Sequence, residues 1–412
     1  MRILFVVKNY YPSIGGTQLL FQQLAESCAN QYNDEVTLYT IDSLYGSDKT
    51  IYKPISRKVE IINGVKVIRF SYWRFHLRPC IFISKLLRRI GFSIPDWMRS
   101  AMAGPISFSM KKAMCTTDAD VIVGSSSGYW FMRYPLWAEK LHRPKPFLYH
   151  GAIHFSLDET RFDVAETTLK AIKKCSRYLA NSPYEIDRLT AENVPSKKIA
   201  LLGCTVVLND FEKGDRNYYR SLWQLTDHDI VVGYIGRLSP LKGLDVLCEA
   251  MKLVWQKYPE AYLVLAGHDN GYMSKLEEFR KTLPSGQAGK LKILPDLSDT
   301  QKINLFHSFD IFTLPSVNES FGIVFLEAWA CKKPVIGAGI GAVASIIEDG
   351  YNGLLAKPHS PSDLSEKIQI LIENPKLAEN LALRGFEKAA NYDITTVVEK
   401  FRQICHQEIN KL

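Results

Sequence analysis

Leu314 to Ala330, LPSVNESFGIVFLEAWA, constrains the fold more than any other stretch of this chain. An apolar run (Ile311, Phe312, Leu314) ends at Pro315, the chain turns through Asn318, and the residues after Phe321 are mostly strong helix formers. The pattern reads as a strand, a short loop and a buried helix, with Asn318 or Ser320 supplying the N-cap oxygen. Such a unit opens a helix N-terminus at the end of a sheet, and the free N–H groups of Ser320, Phe321 and Gly322 then form an anion site. Gly322 lets a ligand approach the backbone closely. Two carboxylates belong to the stretch, Glu319 ahead of the helix and Glu327 within it. A buried carboxylate needs a partner, because stranding it alone costs several kcal/mol. A lysine would serve, and so would a sugar hydroxyl; an anion at the helix start with hydroxyls at both carboxylates suits a nucleotide diphosphate sugar.

The 412 residues suffice for two domains, each with its own core, and a hydrophobic content of 46% is ordinary for a globular protein. The opening MRILFVV reads as a buried first strand, its apolar run before Lys8 too short for a signal peptide. No run approaches a transmembrane length. Eight scattered cysteines without a CxxC pair are expected to be reduced thiols in a cytoplasmic protein. The nine histidines lack metal-ligand spacing, so no metal is expected. Charge is divided unevenly: residues 1–205 hold 28 Lys+Arg against 17 Asp+Glu, a balance of +11, and residues 206–412 hold 23 against 26, a balance of −3. The first half therefore favours an anionic partner.

Other motifs follow in chain order. KNYYPSIGGTQ is a turn entering a helix at about Gln18, and Gly15-Gly16 could bring N–H groups up to a phosphate. Residues 72–114 carry eight Lys+Arg and one acid, Asp96, interleaved with Trp73, Phe75, Leu77, Ile81, Phe82, Leu86, Leu87, Phe92, Trp97 and Met98. Basic and apolar residues on short helices suit an anionic membrane surface; two core helices with solvated basic faces would read the same way. No recognition motif supports nucleic acid. His150 closes the strand of FLYHGAIHF, at the end where open α/β sheets present ligands, with His154 close behind. Asn181-Ser182 reads as a helix cap. After Cys204 the chain is polar and aperiodic, the place for an interdomain linker. DIVVGYIGRLSPLKGL restarts with a strand, a turn and a helix, and Arg237 and Lys242 flank the turn where both could reach a diphosphate. Gly337, Gly339 and Ala342 imitate a dinucleotide fingerprint but lack its acidic residue further on, so they read as a turn.

Three motifs in this order, GG, GRLSPLKG and the paired glutamates of ESFGIVFLEAWACKKPVIG, resemble those of retaining GT-B-fold glycosyltransferases of the family 4 type (glycosyl transferases group 1). The resemblance spans nearly the whole chain and is strongest over residues 232–355. Lys332 stands where that family often has Gly, and Ala344-Ser345 where it often has Pro-Glu.

The resemblance implies an α/β protein of two Rossmann-like domains facing across a cleft. The first, acceptor-binding, would be 1–205 and the second, nucleotide-sugar-binding, 206–392, with a final helix at about 393–412 packing back on the first. It implies retaining transfer of a hexosyl unit from a nucleotide diphosphate sugar, UDP or GDP, to an acceptor hydroxyl, without cofactor or metal. By analogy Glu327 would hold the ribose, and Arg237, Lys242, Gly15 and Gly16 the diphosphate. Ser320, Phe321 and Gly322 would hold its distal phosphate. Leu297 would lie by the base, Glu319 would contact the sugar, and His150 would position it. A lipid-linked saccharide on the inner face of the plasma membrane fits the basic half as acceptor. A silent nucleotide-sugar-binding scaffold and a sugar-nucleotide epimerase are the other readings.

Overall fold

The computed structural model describes residues 1–13, 15–45, 52–73, 77–95, 98, 102, 105–125, 130–137, 144–151, 153 and 166–411. The chain divides into two units, Met1–Cys204 with Val397–Leu412, and Thr205–Thr396.

In the first unit, near-continuous apolar runs form parallel strands buried on both faces, as helix-covered sheets require. The strands are β1 (Arg2–Val6), β2 (Glu35–Ile41), β3 (Ser43–Tyr45), β4 (Tyr52–Pro54), β5 (Val59–Ile62), β6 (Val65–Phe70), β7 (Val121–Ser125), β8 (Phe147–His150), β9 (Arg177–Ala180) and β10 (Ile199–Leu201). Eight of them make one sheet in the order β10-β9-β8-β7-β1-β2-β6-β5, parallel except for edge strand β5; β3 and β4 pair separately. Helix α1 (Gly16–Tyr32) buries Leu20, Phe21, Leu24 and Cys28, and ends at Asn33 in the left-handed conformation that closes many helices. The helix Ile394–Ile409 packs here: Phe401 stacks on Phe5 at 5.9 Å, and the Arg402 guanidinium donates to Asp34 at 2.7 Å.

Within the basic segment, α2 (Leu77–Arg89) buries Ser84 and half-buries Leu87, while Ile81, Phe82, Ile83 and Leu86 point to solvent with Lys85, Arg88 and Arg89. Ile90 and Phe92 just beyond are also exposed, whereas Met98 is buried. The apolar side chains of α2 are thus mostly exposed and do not form a core helix; Phe75, Asp96, Trp97 and also His154 lie outside the described residues. Among the described residues no helix is long and apolar enough to cross a membrane. All eight cysteines are unpaired.

The second unit has β11 (Val231–Ile235), β12 (Tyr262–Ala266), β13 (Leu291–Leu294), β14 (Ile311–Leu314), β15 (Val335–Ala338) and β16 (Leu354–Ala356), all parallel, in the order β13-β12-β11-β14-β15-β16. This is a doubly wound Rossmann sheet whose strand order reverses between β11 and β14. Trp255 and Trp329 fill its core, each indole N–H donating to a carbonyl, of Ala261 and Asn352. The polar lead-in read as a linker is partly helical, at Leu208–Phe211 and Asn217–Leu222. Its anchors are too few to show a period: Phe211, Tyr219 and a buried Arg220, which donates to Asp310 and to the carbonyls of Ser308, Thr226 and Asp229.

Candidate active site in the second unit

Two loops meet where the strand order of the second unit reverses, the position at which open α/β sheets hold ligands. One runs from β11 through Gly236 to Gly243, the other from β14 through Pro315 to Gly322. The Tyr234 hydroxyl donates to the Arg237 carbonyl at 2.8 Å and fixes the first loop. Burial, with the Glu319 charge adding to it, pushes that phenol's pKa well up, so it stays a donor. A single turn, Pro240–Lys242, ends at Gly243 with φ 68°. A Cβ at Gly243 would collide with the Pro315 carbonyl, so only glycine lets the two loops touch. The Ser316 hydroxyl donates to the Leu241 carbonyl at 3.2 Å across the same seam.

The seam sets Lys242 against Glu319, Nζ to Oε1 2.5 Å, with side chains only 12% and 10% exposed. Two oppositely charged residues, 77 positions apart in sequence, thus share one partly desolvated point at the strand ends. Arg237 on the same loop is exposed and has no ion-pair partner among the described residues. Lys242 and Glu319 are therefore brought together as motif partners, with a free cation on the first loop.

The helix that follows differs from the sequence expectation at its start. It spans Ile323–Ala330, and its N-cap is Gly322, at φ 95° with no side-chain cap; neither Asn318 nor Ser320 caps it. The left-handed residue turns the preceding chain away from the first helical turn, so those side chains cannot reach its N–H groups. The consequence for binding is favourable: the N–H groups of Ser320, Phe321 and Gly322 have no acceptor among the described residues. The Phe321 ring is buried edge-on against Tyr392, with centroids 5.3 Å apart, which anchors the loop.

Glu327 is buried inside this helix and takes the lysine that the sequence left open as its partner: Lys302 Nζ lies 2.9 Å from Oε1. Burial is the largest single influence and lowers the pKa of that ammonium, but the charge and hydrogen bond of Glu327, with smaller help from Asp299 and Cys331, together raise it overall. Lys302 comes from the helix Asp299–Ser308, held at its start by a capping box of Ser298 and Gln301. Nothing in the sequence marked Lys302, since one lysine on a surface helix is ordinary. Leu297 lies half-buried after β13; beside it the exposed Asp296 carboxylate accepts from His268 Nδ1 at 2.5 Å. Of the three residues read as a turn, Gly339 lies in the turn between β15 and the helix Gly341–Ile346, while Gly337 is in the strand and Ala342 in the helix. Lys332 occupies a left-handed position, φ 52°, at the helix exit, which explains why glycine is common there in the resembling family.

The remaining expected residues lie in the first unit. Gly15 precedes α1 and Gly16 begins it, with no side-chain cap on its N–H groups. His150 ends β8, fully buried, its ring edge-on to Phe21 at 5.8 Å. Its Nδ1 lies 3.0 Å from the Gly151 carbonyl, and Nε2 has no partner. Burial lowers its pKa to about 4, so the ring is neutral at physiological pH. Ser182 caps the helix Pro183–Ala191, accepting from the Glu185 N–H, as its Asn-Ser turn suggests.

Residues 215–388 match the family described as glycosyl transferases group 1. The D-inositol 3-phosphate glycosyltransferase of Actinosynnema mirum is 30% identical over 236 residues, 55% of this chain and 57% of that protein. That of Rhodococcus jostii is 28% identical over 228 residues, 54% of this chain and 50% of that protein. The chain thus spans little more than half the length of these curated relatives. Among solved structures, Anabaena Alr3699/HepE in complex with UDP is similar with a TM-score of 0.71 at 19% identity, covering 99% of this chain and 100% of that one. Sucrose-phosphate synthase from Thermosynechococcus elongatus matches with a TM-score of 0.71 at 19% identity, covering 100% and 99%. Residues 215–388 thus match the glycosyl transferases group 1, and the chain shares the two-Rossmann fold of these solved structures.

Proposed function

We propose that this chain is a retaining glycosyltransferase that moves a hexosyl unit from a nucleotide diphosphate sugar to an acceptor hydroxyl. The observation that carries the reading is the Lys242–Glu319 pair at the strand-order reversal, next to the unpartnered N–H groups of Ser320 to Gly322. A cation and a row of N–H donors suit a diphosphate, and the adjacent carboxylate suits a sugar hydroxyl. In this reading Lys242 and Arg237 neutralise the charge that grows on the diphosphate as the glycosidic bond breaks. Gly15 and Gly16 add N–H groups to it, and Glu327, through the oxygen that Lys302 leaves free, meets the ribose. Leu297 lines the base. His150 and Glu319 position the sugar; neither forms a covalent intermediate, and the leaving phosphate assists the incoming hydroxyl on the same face. No metal or cofactor enters.

UDP is the first nucleotide to try, because the similar Anabaena protein was solved with UDP and with UDP-glucose. An anionic acceptor suits the +11 balance of residues 1–205, and the relatives' named acceptor, an inositol phosphate, is of that kind. A lipid-linked saccharide in surface polysaccharide or glycolipid assembly would add a reason for the exposed apolar face of α2, and would place the enzyme on the cytoplasmic face of a membrane.

The test is a thermal-shift screen with UDP, GDP, ADP and their common sugars. A ligand at 100 times its Kd adds about 2.7 kcal/mol to the folded state, a readily measured rise in Tm. One nucleotide raising Tm supports the site. No rise with any of them would move the reading to a scaffold without donor binding.

A further inference from the structure

Among the described residues of the first unit Asp34, Glu185 and Glu408 are buried carboxylates; Asp34 and Glu408 are held in ion pairs, and Glu185, 1% exposed, is not and is unused by the reading above. It is not there to cap its own helix alone. Its Oε2 accepts from the Asn181 N–H at 2.6 Å, and its Oε1 accepts from the Tyr178 hydroxyl at 2.8 Å and the Ile153 N–H at 3.4 Å. These three donors belong to the end of β9, to β9 itself and to the segment that follows β8. Between the last of them and β8 lies Gly151, whose backbone rests directly on the carboxylate: a Cβ there would overlap Oε2 and approach the Asn181 nitrogen. The Gly151 N–H in turn donates to the Leu179 carbonyl at 2.6 Å. And it is the Gly151 carbonyl that faces His150 Nδ1.

We infer that Glu185 is a positioning residue for His150: by packing under Gly151 and accepting from the Ile153 N–H it holds the Gly151 carbonyl against Nδ1–H, which leaves Nε2 as a buried acceptor for a substrate hydroxyl. The inference rests on the role given to His150 above. A neutral imidazole donates from one nitrogen and accepts at the other, so whatever fixes the proton on Nδ1 decides what Nε2 can do. Phe21 limits ring rotation from the other side. The Gly203 backbone also faces the ring without completing a hydrogen bond to Nε2, and a proton on Nε2 directed there is the competing arrangement.

The device is sensitive to pH. Burial raises the Glu185 pKa to about 7, against which its three hydrogen-bond donors work. Among the described residues the titratable groups that interact with it are Tyr178 on β9 and Cys204 beyond β10, and His150 lies on the other side of Gly151. Burial pushes the Cys204 thiol well above its ordinary value, and His150 stays neutral down to about 4, so neither changes charge near 7. No ion pair reaches Glu185 among the described residues. Ionised, the carboxylate accepts all three donors. Protonated, it must turn an O–H toward them, loses one contact, and loosens its hold on Gly151 and Ile153.

The test is nitrogen NMR of the full chain with labelled histidine, the His150 signal identified by its loss in His150→Gln. In the wild-type protein at pH 8 the expected signal is a single tautomer, Nδ1 protonated and Nε2 bare. It should broaden or average toward a mixture as pH falls through 7. In Glu185→Gln, whose amide imitates the protonated acid, the mixture should already be present at pH 8 and not respond to pH. A wild-type ring protonated on Nε2, or the same single tautomer in Glu185→Gln, would overturn the inference. UDP release from UDP-glucose, if the wild type catalyses it, should fall about tenfold in Glu185→Gln at pH 8 as orientation is lost. It should also lose the acid limb near pH 7. Altered tautomers with unaltered release in both Glu185→Gln and His150→Gln would leave the positioning intact and refute the role of His150.

Discussion

Replacing Lys242 with Ala, or Glu319 with Ala, should each lower transfer by at least about 10²- to 10³-fold, the cost of losing one preorganised charge-stabilising group. The two losses differ in kind. Without Lys242 the diphosphate keeps Arg237 as its one cation, beside the N–H groups of Ser320 to Gly322 and of Gly15 and Gly16, so kcat should fall with nucleotide binding weakened. Without Glu319 the lysine is freed from its 2.5 Å partner. Nucleotide should then bind as well or better, and the loss should appear in kcat, because the sugar is no longer held. Glu319→Gln separates charge from hydrogen bonding: it keeps a partner of the right size but releases the lysine, so KM for the donor should drop while kcat stays low. Neither single variant should unfold the chain, since the site lies at the solvent end of the sheet; circular dichroism checks this. Near wild-type turnover in both alanine variants would remove the site assignment.

A comparably large effect is expected from the basic face of α2. Each Lys or Arg close to an anionic bilayer is worth about 1 kcal/mol. The triple variant Lys85→Ala, Arg88→Ala, Arg89→Ala should therefore bind vesicles of anionic lipid about 100-fold more weakly than the wild-type chain. The apolar contribution can be tested apart from the charge. Phe82 is 70% exposed and Leu86 50% exposed, so Phe82→Ser with Leu86→Ser sacrifices little packing. It should nevertheless weaken flotation with the same vesicles. High salt should weaken the wild type toward the triple variant while leaving the apolar contribution in place. Flotation that ignores lipid charge would leave α2 as a solvated basic helix with exposed apolar side chains.

The sequence carried the architecture wherever apolar runs were long enough to be parallel strands. The strand, loop and helix around Leu314 to Ala330, the Gly turn after β11 and the Ser182 cap all stand as read. The short strands β5, β10 and β16 did not announce themselves, because three or four residues carry no reliable period. At the site, Arg237, Lys242 and Glu319 could be singled out because charged residues flanked predicted strand ends. That Lys242 and Glu319 touch could not, since the contact depends on which strands are neighbours, and β14 joins β11 only through the order of the folded sheet. The cap at Gly322 was misread for a local reason: Asn318 and Ser320 have the right chemistry, but a left-handed glycine redirects the chain after them. Glu327 was left with two partners in view, and Lys302 settles that one of its oxygens is occupied by protein. Glu185 was invisible as a functional residue, because a glutamate three positions after a Ser cap looks like half of a capping box. Only the fold puts its carboxylate under Gly151.

Retention at the anomeric carbon can be read directly from the anomeric configuration of the first product. A nucleotide sugar that raises Tm, with UDP-glucose first, would be hydrolysed by the wild-type chain inside the NMR tube. The anomeric proton of the released sugar would be followed before mutarotation scrambles it. The account predicts the α-anomer first from an α-linked donor. The β-anomer appearing first would contradict it and require inversion, with a carboxylate or His150 acting as base.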